Sequence, residues 1–179
     1  IESNQNFSTL EIKDGYSFNS GFSSVEFCNV PDKQLCQLTN PLILVTDENL
    51  SELNKWIRVF DICITASRPL IIISDLVEGQ MLKACLATNA KANAGLKEGA
   101  TRLCIISPPG FGIERYEAMK DIAAACGATF IRKGSEFISE EIKLSDLGSC
   151  TSIEVGKYHT NMIDPKGKEE DIKARKEYL

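Results

Sequence analysis

Seven cysteines and one histidine are the residues whose types most directly suggest nucleophilic or metal chemistry. A thiolate nucleophile normally has a neighbouring base, and a tetrahedral zinc site normally takes clustered Cys and His ligands. Here no C-x-x-C pair occurs, and His159 lies in a polar stretch. Most of the cysteines fall inside apolar runs, where a free thiol packs as a small hydrophobe. We therefore predict reduced core thiols, as in a cytoplasmic protein, and no metal site. The cysteines are Cys28, Cys36, Cys63, Cys85, Cys104, Cys126 and Cys150.

Two aspartates and a glycine-containing loop offer a second kind of chemistry. Asp47 and Asp75 end successive predicted strands, where an α/β enzyme can hold a metal ion. Gly110 and Gly112 lie in a strand-to-helix loop, which can cradle a phosphate, but the G-x-G-x-x-G spacing is absent. Helix capping by Asp47 and a tight turn at the glycines are simpler interpretations. A small α/β nucleotide- or metal-dependent enzyme using these residues remains the alternative.

Length and charge limit the class of protein. The chain has 179 residues, with 25 acidic and 20 basic side chains and a net charge of −5. This length suits one domain, and the acidic balance disfavours a nucleic-acid partner. No apolar run approaches the ~20 residues of a transmembrane helix, so no membrane partner is expected. The sequence begins without Met or a signal peptide, and we expect a domain excised from a larger chain.

Apolar β-rich runs alternate with helical periodicity between residues 41 and 131, which is typical of parallel strands in an α/β fold. The predicted strands of this part are Pro41–Thr46, Pro69–Ser74, Arg102–Ser107 and Gly127–Ile131. The predicted helices are Asn49–Ser67, Val77–Asn93 and Ile113–Cys126.

The two ends of the chain have a different pattern. Short extended segments separated by turns are predicted at Phe7–Ile12, Tyr16–Phe18 and Phe22–Phe27. A turn at Leu144–Gly148 leads to a hairpin of Thr151–Val155 and Tyr158–Ile163, joined by Gly156 and Lys157. The charged segment Lys166–Leu179 is predicted to be helical.

The first helix has more apolar surface than one core contact needs. At 100° per residue its apolar arc is roughly 200° wide, whereas one core face needs little more than ~100°. One half of the arc contains Trp56, Val59, Cys63 and Ala66, and the other contains Leu50, Leu53, Ile57, Phe60 and Ile64. One half is predicted to meet the sheet, and the other must meet another element, a partner or water.

The second helix has a related surplus. Leu82 and Leu86 stand one turn apart, outside the main stripe formed by Val77, Met81, Ala84, Cys85 and Ala92. Periodicity alone favours packing of this pair under the N-terminal segment. A structural subunit whose surplus apolar faces are buried in a fixed partner is a further alternative. Exposed apolar patches, however, mark interaction sites.

Several segments together resemble the apical domain of GroEL-type (group I) chaperonins, in collinear order over nearly the whole chain. The clearest are Leu76-Val-Glu-Gly79 and Pro109-Gly-Phe-Gly112, followed by Arg115 and Ala118-Met119. Further similar pieces are Gly15–Phe22, Pro41–Val45, Arg68–Ile72, Asp121–Ala123, Ser139–Glu141 and Asp146–Gly148. The resemblance implies a single apical domain over residues 1–179, a layered β/β/α fold with flanking helices, and a charged helix at 166–179 leading toward the remainder.

The resemblance also implies a function. In the family, two neighbouring helices and an extended segment form an apolar groove that captures non-native polypeptides and a co-chaperonin loop. The corresponding residues are Phe22, Ser24, Phe27, Ile57, Phe60, Leu82, Leu86 and Ala87, and Gly15 matches the hinge. No enzymatic activity is implied for this chain, because ATP and Mg belong to the equatorial domain of the parent. The parent is expected to be a cytoplasmic homo-oligomeric ring and the isolated domain a monomer.

Four departures from the family pattern stand near the groove. Glu26 replaces an aromatic residue, and Gln80 and Lys83 flank the groove. The segment Asn89–Thr101 is longer than usual and rich in Ala, Asn and Lys. Such divergence is typical of a bacterial outlier or a phage-encoded member.

Overall fold

The computed structural model describes residues 15–135 and 141–178. These residues form a mixed α/β fold with eight strands in one mixed sheet and four α-helices. The predicted segment Phe7–Ile12 and most of the Ser139–Glu141 piece lie outside the described residues. The strands are β1 (Gly15–Phe18), β2 (Cys36–Thr39), β3 (Leu42–Leu50), β4 (Leu70–Val77), β5 (Leu103–Ile106), β6 (Phe130–Ile131), β7 (Gly148–Val155) and β8 (Thr160–Pro165). The helices are α1 (Leu53–Ala66), α2 (Gly79–Asn93), α3 (Gly112–Cys126) and α4 (Glu169–Tyr178).

Parallel strands form one part of the sheet, as the alternating pattern predicted. β4 lies between β3 and β5, and β6 pairs with the other edge of β3. Residues 42–46, 70–74 and 103–106 are buried, which is typical of parallel strands covered by helices on both faces. Because crossovers between parallel strands are right-handed, α1 and α2 lie on one face and α3 on the other. The two helices of interest are therefore neighbours.

Antiparallel strands form the other part of the sheet. The predicted hairpin is confirmed as β7 and β8, although its loop covers 156–159 rather than two residues. β1 pairs with β8, and β2 pairs with the last residues of β7. The first residues of β7 pair instead with β3, at Gly148–Ile43 and Ser149–Leu42. β7 therefore joins the two parts of the sheet.

The end of β3 differs from the prediction. The strand extends beyond Thr46 to Leu50, because a bulge between Thr46 and Asn49 accommodates the polar Asp47 and Glu48 before pairing with β4 resumes. Helix α1 consequently begins at Leu53 and not at Asn49. The interpretation of Asp47 as the helix cap is therefore wrong.

The segment between β1 and β2 is less extended than predicted. Phe22 forms a single bridge to Ile106, and Val25–Phe27 form a turn of 3-10 helix. Ser24 caps this turn, since its hydroxyl accepts a hydrogen bond from the Glu26 amide at 3.2 Å. At the other end of the chain the predicted helix is confirmed as α4, which packs beside α3.

Candidate functional site

Helix α1 turns one face to the core and leaves only part of the predicted surplus exposed. Trp56, Val59 and Cys63 are buried, as expected for the stripe that meets the sheet. Ile57 is 48% exposed, whereas Phe60 is only 5% exposed. The prediction that Phe60 lies on the available half of the arc is wrong, because its ring packs in the core cluster. Ile57 is therefore a large apolar side chain of α1 that is accessible to a ligand.

Helix α2 is fixed to the sheet by a buried amide side chain. Asn89 Oδ1 accepts a hydrogen bond from the Leu103 backbone amide at 3.0 Å, and Asn89 Nδ2 donates to the Glu26 carbonyl at 3.4 Å. Met81 and Cys85 are buried on the same side of the helix. These contacts tie α2 to both β5 and the 3-10 turn Val25–Phe27. The sequence reasoning gave Asn89 no role.

An open groove separates the N-terminal halves of α1 and α2. Its volume is about 520 Å³. The N-terminal ends of the two helices lie close together, because backbone hydrogen bonds join the segments that precede them. The Met81 amide donates to the Ser51 carbonyl at 3.2 Å, and the Glu78 amide donates to the Leu50 carbonyl at 2.9 Å. We call this feature the α1/α2 groove; its lining residues are Leu53, Asn54, Ile57, Gln80, Lys83 and Ala84. Three of these residues are apolar (Leu53, Ile57 and Ala84), and Lys83 is the cation among them.

Leu82 and Leu86 belong to the opposite flank of α2. At 100° per residue, Leu82 lies roughly 160° from Ala84 but only ~20° from Asn89, which reaches the Val25–Phe27 turn. Both leucines are partly buried and pack against the core, as periodicity favoured. Ala87 is exposed. The eight predicted residues are therefore divided between the two flanks of α2 and the core.

The extended segment contributes buried rather than exposed aromatic rings. Phe22 and Phe27 lie in the core, and Ser24 is half-buried as the cap of the 3-10 turn. The exposed apolar side chain of this segment is Val25, at 59% exposure. Recognition of Ser24 as a helix cap would have placed Val25 outward and Phe27 inward.

Gly15 opens β1 at a close approach of two strands. A Cβ atom at this position would lie 2.9 Å from the Met162 carbonyl oxygen. Glycine is therefore required by the pairing of β1 with β8. The hinge role that the resemblance implies for Gly15 stays a prediction.

The residues of the alternative enzyme hypothesis are engaged in local contacts. Asp47 accepts a hydrogen bond from the Lys133 amide, and Asp75 pairs with Arg115. Arg115 Nε also donates to the Gly110 carbonyl at 2.8 Å, so that one guanidinium joins the glycine loop to the end of β4. Gly110 and Gly112 have positive φ angles of 80° and 55°, which explains glycine in this turn.

The same loop exposes two apolar side chains that the sequence reasoning missed. Phe111 is 83% exposed and Ile113 is 81% exposed. Arg115 lies over the Phe111 ring, 5.8 Å from its centroid. This pair of side chains stands on the first turn of α3, apart from the residues that line the α1/α2 groove.

The cysteines are free thiols, as predicted. Burial raises the pKa of Cys63, Cys85, Cys126 and Cys150 to about 12, so these thiols are not nucleophiles near neutral pH. Cys28 is partly exposed, and burial still raises its pKa. In residues 15–135 and 141–178 no group of three or more His, Cys, Asp or Glu side chains is arranged to hold a metal ion.

No protein-family model matches the chain. Among the described helices, none is both long and apolar enough to cross a bilayer.

Proposed function

We propose that this chain captures non-native polypeptides in the α1/α2 groove, as the apical domain of a group I chaperonin does. The observation that carries the proposal is the open groove with three apolar lining residues, among which Ile57 is half exposed. The layered apical-domain fold, implied by the resemblance, is part of the same proposal. It is supported by a mixed sheet that places α1 and α2 side by side.

Hydrophobic burial explains how such a groove distinguishes its ligands. A folded protein hides its apolar side chains, whereas a non-native chain exposes them, so an apolar groove selects the latter without reading sequence. One Ile or Leu buried against Leu53, Ile57 and Ala84 contributes about 1.5–3 kcal/mol before ordering costs. A single groove therefore binds weakly, and a ring of grooves gains affinity by multivalency.

Within this proposal, burial and exposure suggest different roles for the predicted site residues. Ile57 is the principal contact, and Leu53 and Ala84 are the other apolar residues that line the groove. Leu82, Leu86 and Ala87 lie on the other flank of α2, the helix that contacts the Val25–Phe27 turn. Phe22, Phe27 and Phe60 support these surfaces from the core and do not contact the ligand in this arrangement.

The remainder of the proposal concerns the whole assembly. The chain would work as one domain of a cytoplasmic homo-oligomeric ring, with ATP and Mg bound by an equatorial domain of the parent. A co-chaperonin loop would compete for the same groove. In this chain no residue is assigned to ATP.

An Ile57→Glu substitution tests the groove. The probe is a fluorophore-labelled polypeptide that has been reduced and carboxymethylated so that it cannot refold, and binding is followed by anisotropy. We expect Ile57→Glu to weaken binding at least about tenfold, because a carboxylate in the groove must be desolvated by an apolar ligand. Circular dichroism and melting should be unchanged, since Ile57 is half exposed.

Ile163→Glu is the matched control. Ile163 is 43% exposed on β8, so the same substitution adds the same charge to a similarly exposed site away from the groove. Its binding should equal that of the unmodified chain. Equal loss in both variants, or undiminished binding by Ile57→Glu, would overturn the assignment of the groove.

A further inference from the structure

A second cleft lies at the opposite ends of α1 and α2, and its lining is cationic. The cleft has a volume of about 440 Å³, within the range of ~300–1,000 Å³ typical of small-molecule sites. Its walls are the last turns of both helices, the residues that follow α1, and the loop 94–102. Arg68, Lys97 and Arg102 line it, and none of the described residues that line it is Asp or Glu. We call it the basic cleft.

The two arginines of the cleft donate to uncharged oxygen atoms, and no acceptor for Lys97 is found among the described residues. Arg68 Nε donates to the Asn40 carbonyl at 2.9 Å, and Arg102 Nη1 donates to Asn93 Oδ1 at 2.8 Å. Neither arginine nor Lys97 forms a salt bridge with any carboxylate of the described residues. The guanidinium groups are therefore positioned while their charges remain uncompensated.

The helix ends do not account for this concentration of charge. Cations near a helix C-terminus often satisfy its last carbonyl groups. Here backbone amides do so, since the Arg68 amide donates to the Cys63 carbonyl at 3.0 Å and the Leu96 amide to the Lys91 carbonyl at 3.0 Å. The side chains of Arg68, Lys97 and Arg102 are thus free of a capping role.

A buried hydroxyl group in the same wall points to a ligand. Thr101 is only 5% exposed, and its Oγ1 has no hydrogen-bond partner among the described residues. Buried side-chain polar atoms nearly always have a partner, so an orphan hydroxyl beside three uncompensated cations is unusual. An oxyanion in the cleft would accept hydrogen bonds from the cations, and a change of the Thr101 rotamer would let the same ion accept one from its hydroxyl group.

We propose that the basic cleft binds the phosphate group of a small phosphate monoester. A phosphate dianion matches the excess positive charge, its oxygens accept the paired N–H groups of arginine, and the remaining volume admits a small organic group. This site is independent of the α1/α2 groove and does not rest on the function proposed for it.

Titrations with inorganic phosphate and ribose 5-phosphate at constant ionic strength test the site. Amide chemical shifts of residues 67–69 and 94–102 should move saturably with both probes. Tighter binding of ribose 5-phosphate than of inorganic phosphate would support the phosphate monoester as the ligand. Equal binding of the two probes would overturn the monoester in favour of the free phosphate ion. Shifts that match those caused by sodium chloride at the same ionic strength would overturn the proposal.

Variants separate the basic cleft from general surface charge. Arg102→Gln and Lys97→Gln should each raise the dissociation constant roughly tenfold, the usual scale for a charge-assisted hydrogen bond. Thr101→Val removes the orphan hydroxyl at constant shape, and should weaken binding several-fold without lowering the melting temperature. Lys83→Gln, which removes a cation from the α1/α2 groove, is the control and should bind normally. Equal affinity in all four variants would overturn the proposal.

Discussion

Asn89 Oδ1 on α2 accepts a hydrogen bond from the backbone amide of Leu103 on β5, at 3.0 Å and out of contact with water. The amide of the first β5 residue thus finds its partner in a helix side chain. Through the Nδ2 contact with Glu26, the same side chain also sets the distance between α2 and the Val25–Phe27 turn.

Asn89→Ala should therefore destabilise the fold. It leaves a buried N–H and a carbonyl without a partner, at a cost of about 1–3 kcal/mol. Urea unfolding measures this loss, and amide exchange should accelerate at Leu103. Asn93→Ala is the control on the same helix, because Asn93 is exposed and bonds only at the surface. A loss of equal size in Asn93→Ala would contradict the role given to Asn89.

Truncation of Phe60 should cost much more stability than truncation of Ile57, although the two residues are only three positions apart on α1. Phe60→Ala opens a cavity in the core and should cost about 3–5 kcal/mol of unfolding free energy. Ile57→Ala should change the stability by no more than about 0.5 kcal/mol, because Ile57 lies half in water. Chemical denaturation of both variants checks the burial pattern. Similar losses would show that both side chains face the core.

The ion triad between α3 and α4 should give stability a defined pH dependence. Arg175 Nε donates to Asp121 Oδ1 at 2.8 Å and Arg175 Nη2 to Glu117 Oε1 at 2.7 Å. The hydrogen bond from Arg175 lowers the pKa of Glu117 below its ordinary 4.5, whereas burial raises the pKa of Asp121 above its ordinary 3.8. The two directions differ because Asp121 is the more buried carboxylate.

The signs follow from these directions. The lowered pKa of Glu117 contributes stability above pH 4.5, and this contribution is lost as the pH falls through the folded-state pKa. The raised pKa of Asp121 acts oppositely: its contribution is complete below pH 3.8 and is lost as the pH rises. Because Arg175 stabilises both ionised carboxylates, Arg175→Ala should cost about 1–3 kcal/mol at pH 7 and much less at pH 3.

Thermal unfolding at the two pH values measures this difference. Lys173→Ala, which removes an exposed cation from the same helix, should have little effect at either pH. A loss in Arg175→Ala that is equally large at pH 3 would mean that the arginine acts by packing and not by charge.

Alkylation should distinguish Cys28 from the other thiols. Under native conditions near pH 7.5, iodoacetamide should modify Cys28 slowly and leave the six buried cysteines unmodified, since the reagent does not reach buried sulfur atoms. Burial also raises the pKa of Cys63, Cys85, Cys104, Cys126 and Cys150, and only thiolates react. Intact mass spectrometry should show one added group, and seven after unfolding in guanidinium. Two or more additions to the native protein would contradict the buried positions of the remaining thiols.

The parallel part of the fold was predictable because its signal is strong. Continuous apolar runs such as 70–73 and 103–106 are typical of parallel strands that are covered on both faces, and the structure confirms both runs as buried parallel strands. The end of β3 was not predictable, because the polar pair Asp47-Glu48 resembles a loop until the bulge returns Asn49 to the ladder. Local pattern carries no information about such a register shift.

The groove was predictable only in part. Periodicity identified α1 as too apolar for one contact, but it could not decide which residue at the edge of the arc enters the core. A rotation of α1 by less than one residue exchanges Phe60 and Ile57 between core and surface, and only packing against the sheet fixes that angle. The role of Asn89 was not predictable, because the sequence does not show which backbone groups a polar side chain on the buried face of a helix will bond.

β7 gives the molecule mechanical continuity. One uninterrupted strand pairs with β3 through its first residues and with β2 and β8 through its last. A load that enters at the antiparallel end reaches the parallel end through the continuous backbone of β7 and the two residue pairs that join β7 to β3. The described sheet is consequently expected to move as a single block, so that any displacement of β1 carries α1 and α2 with it.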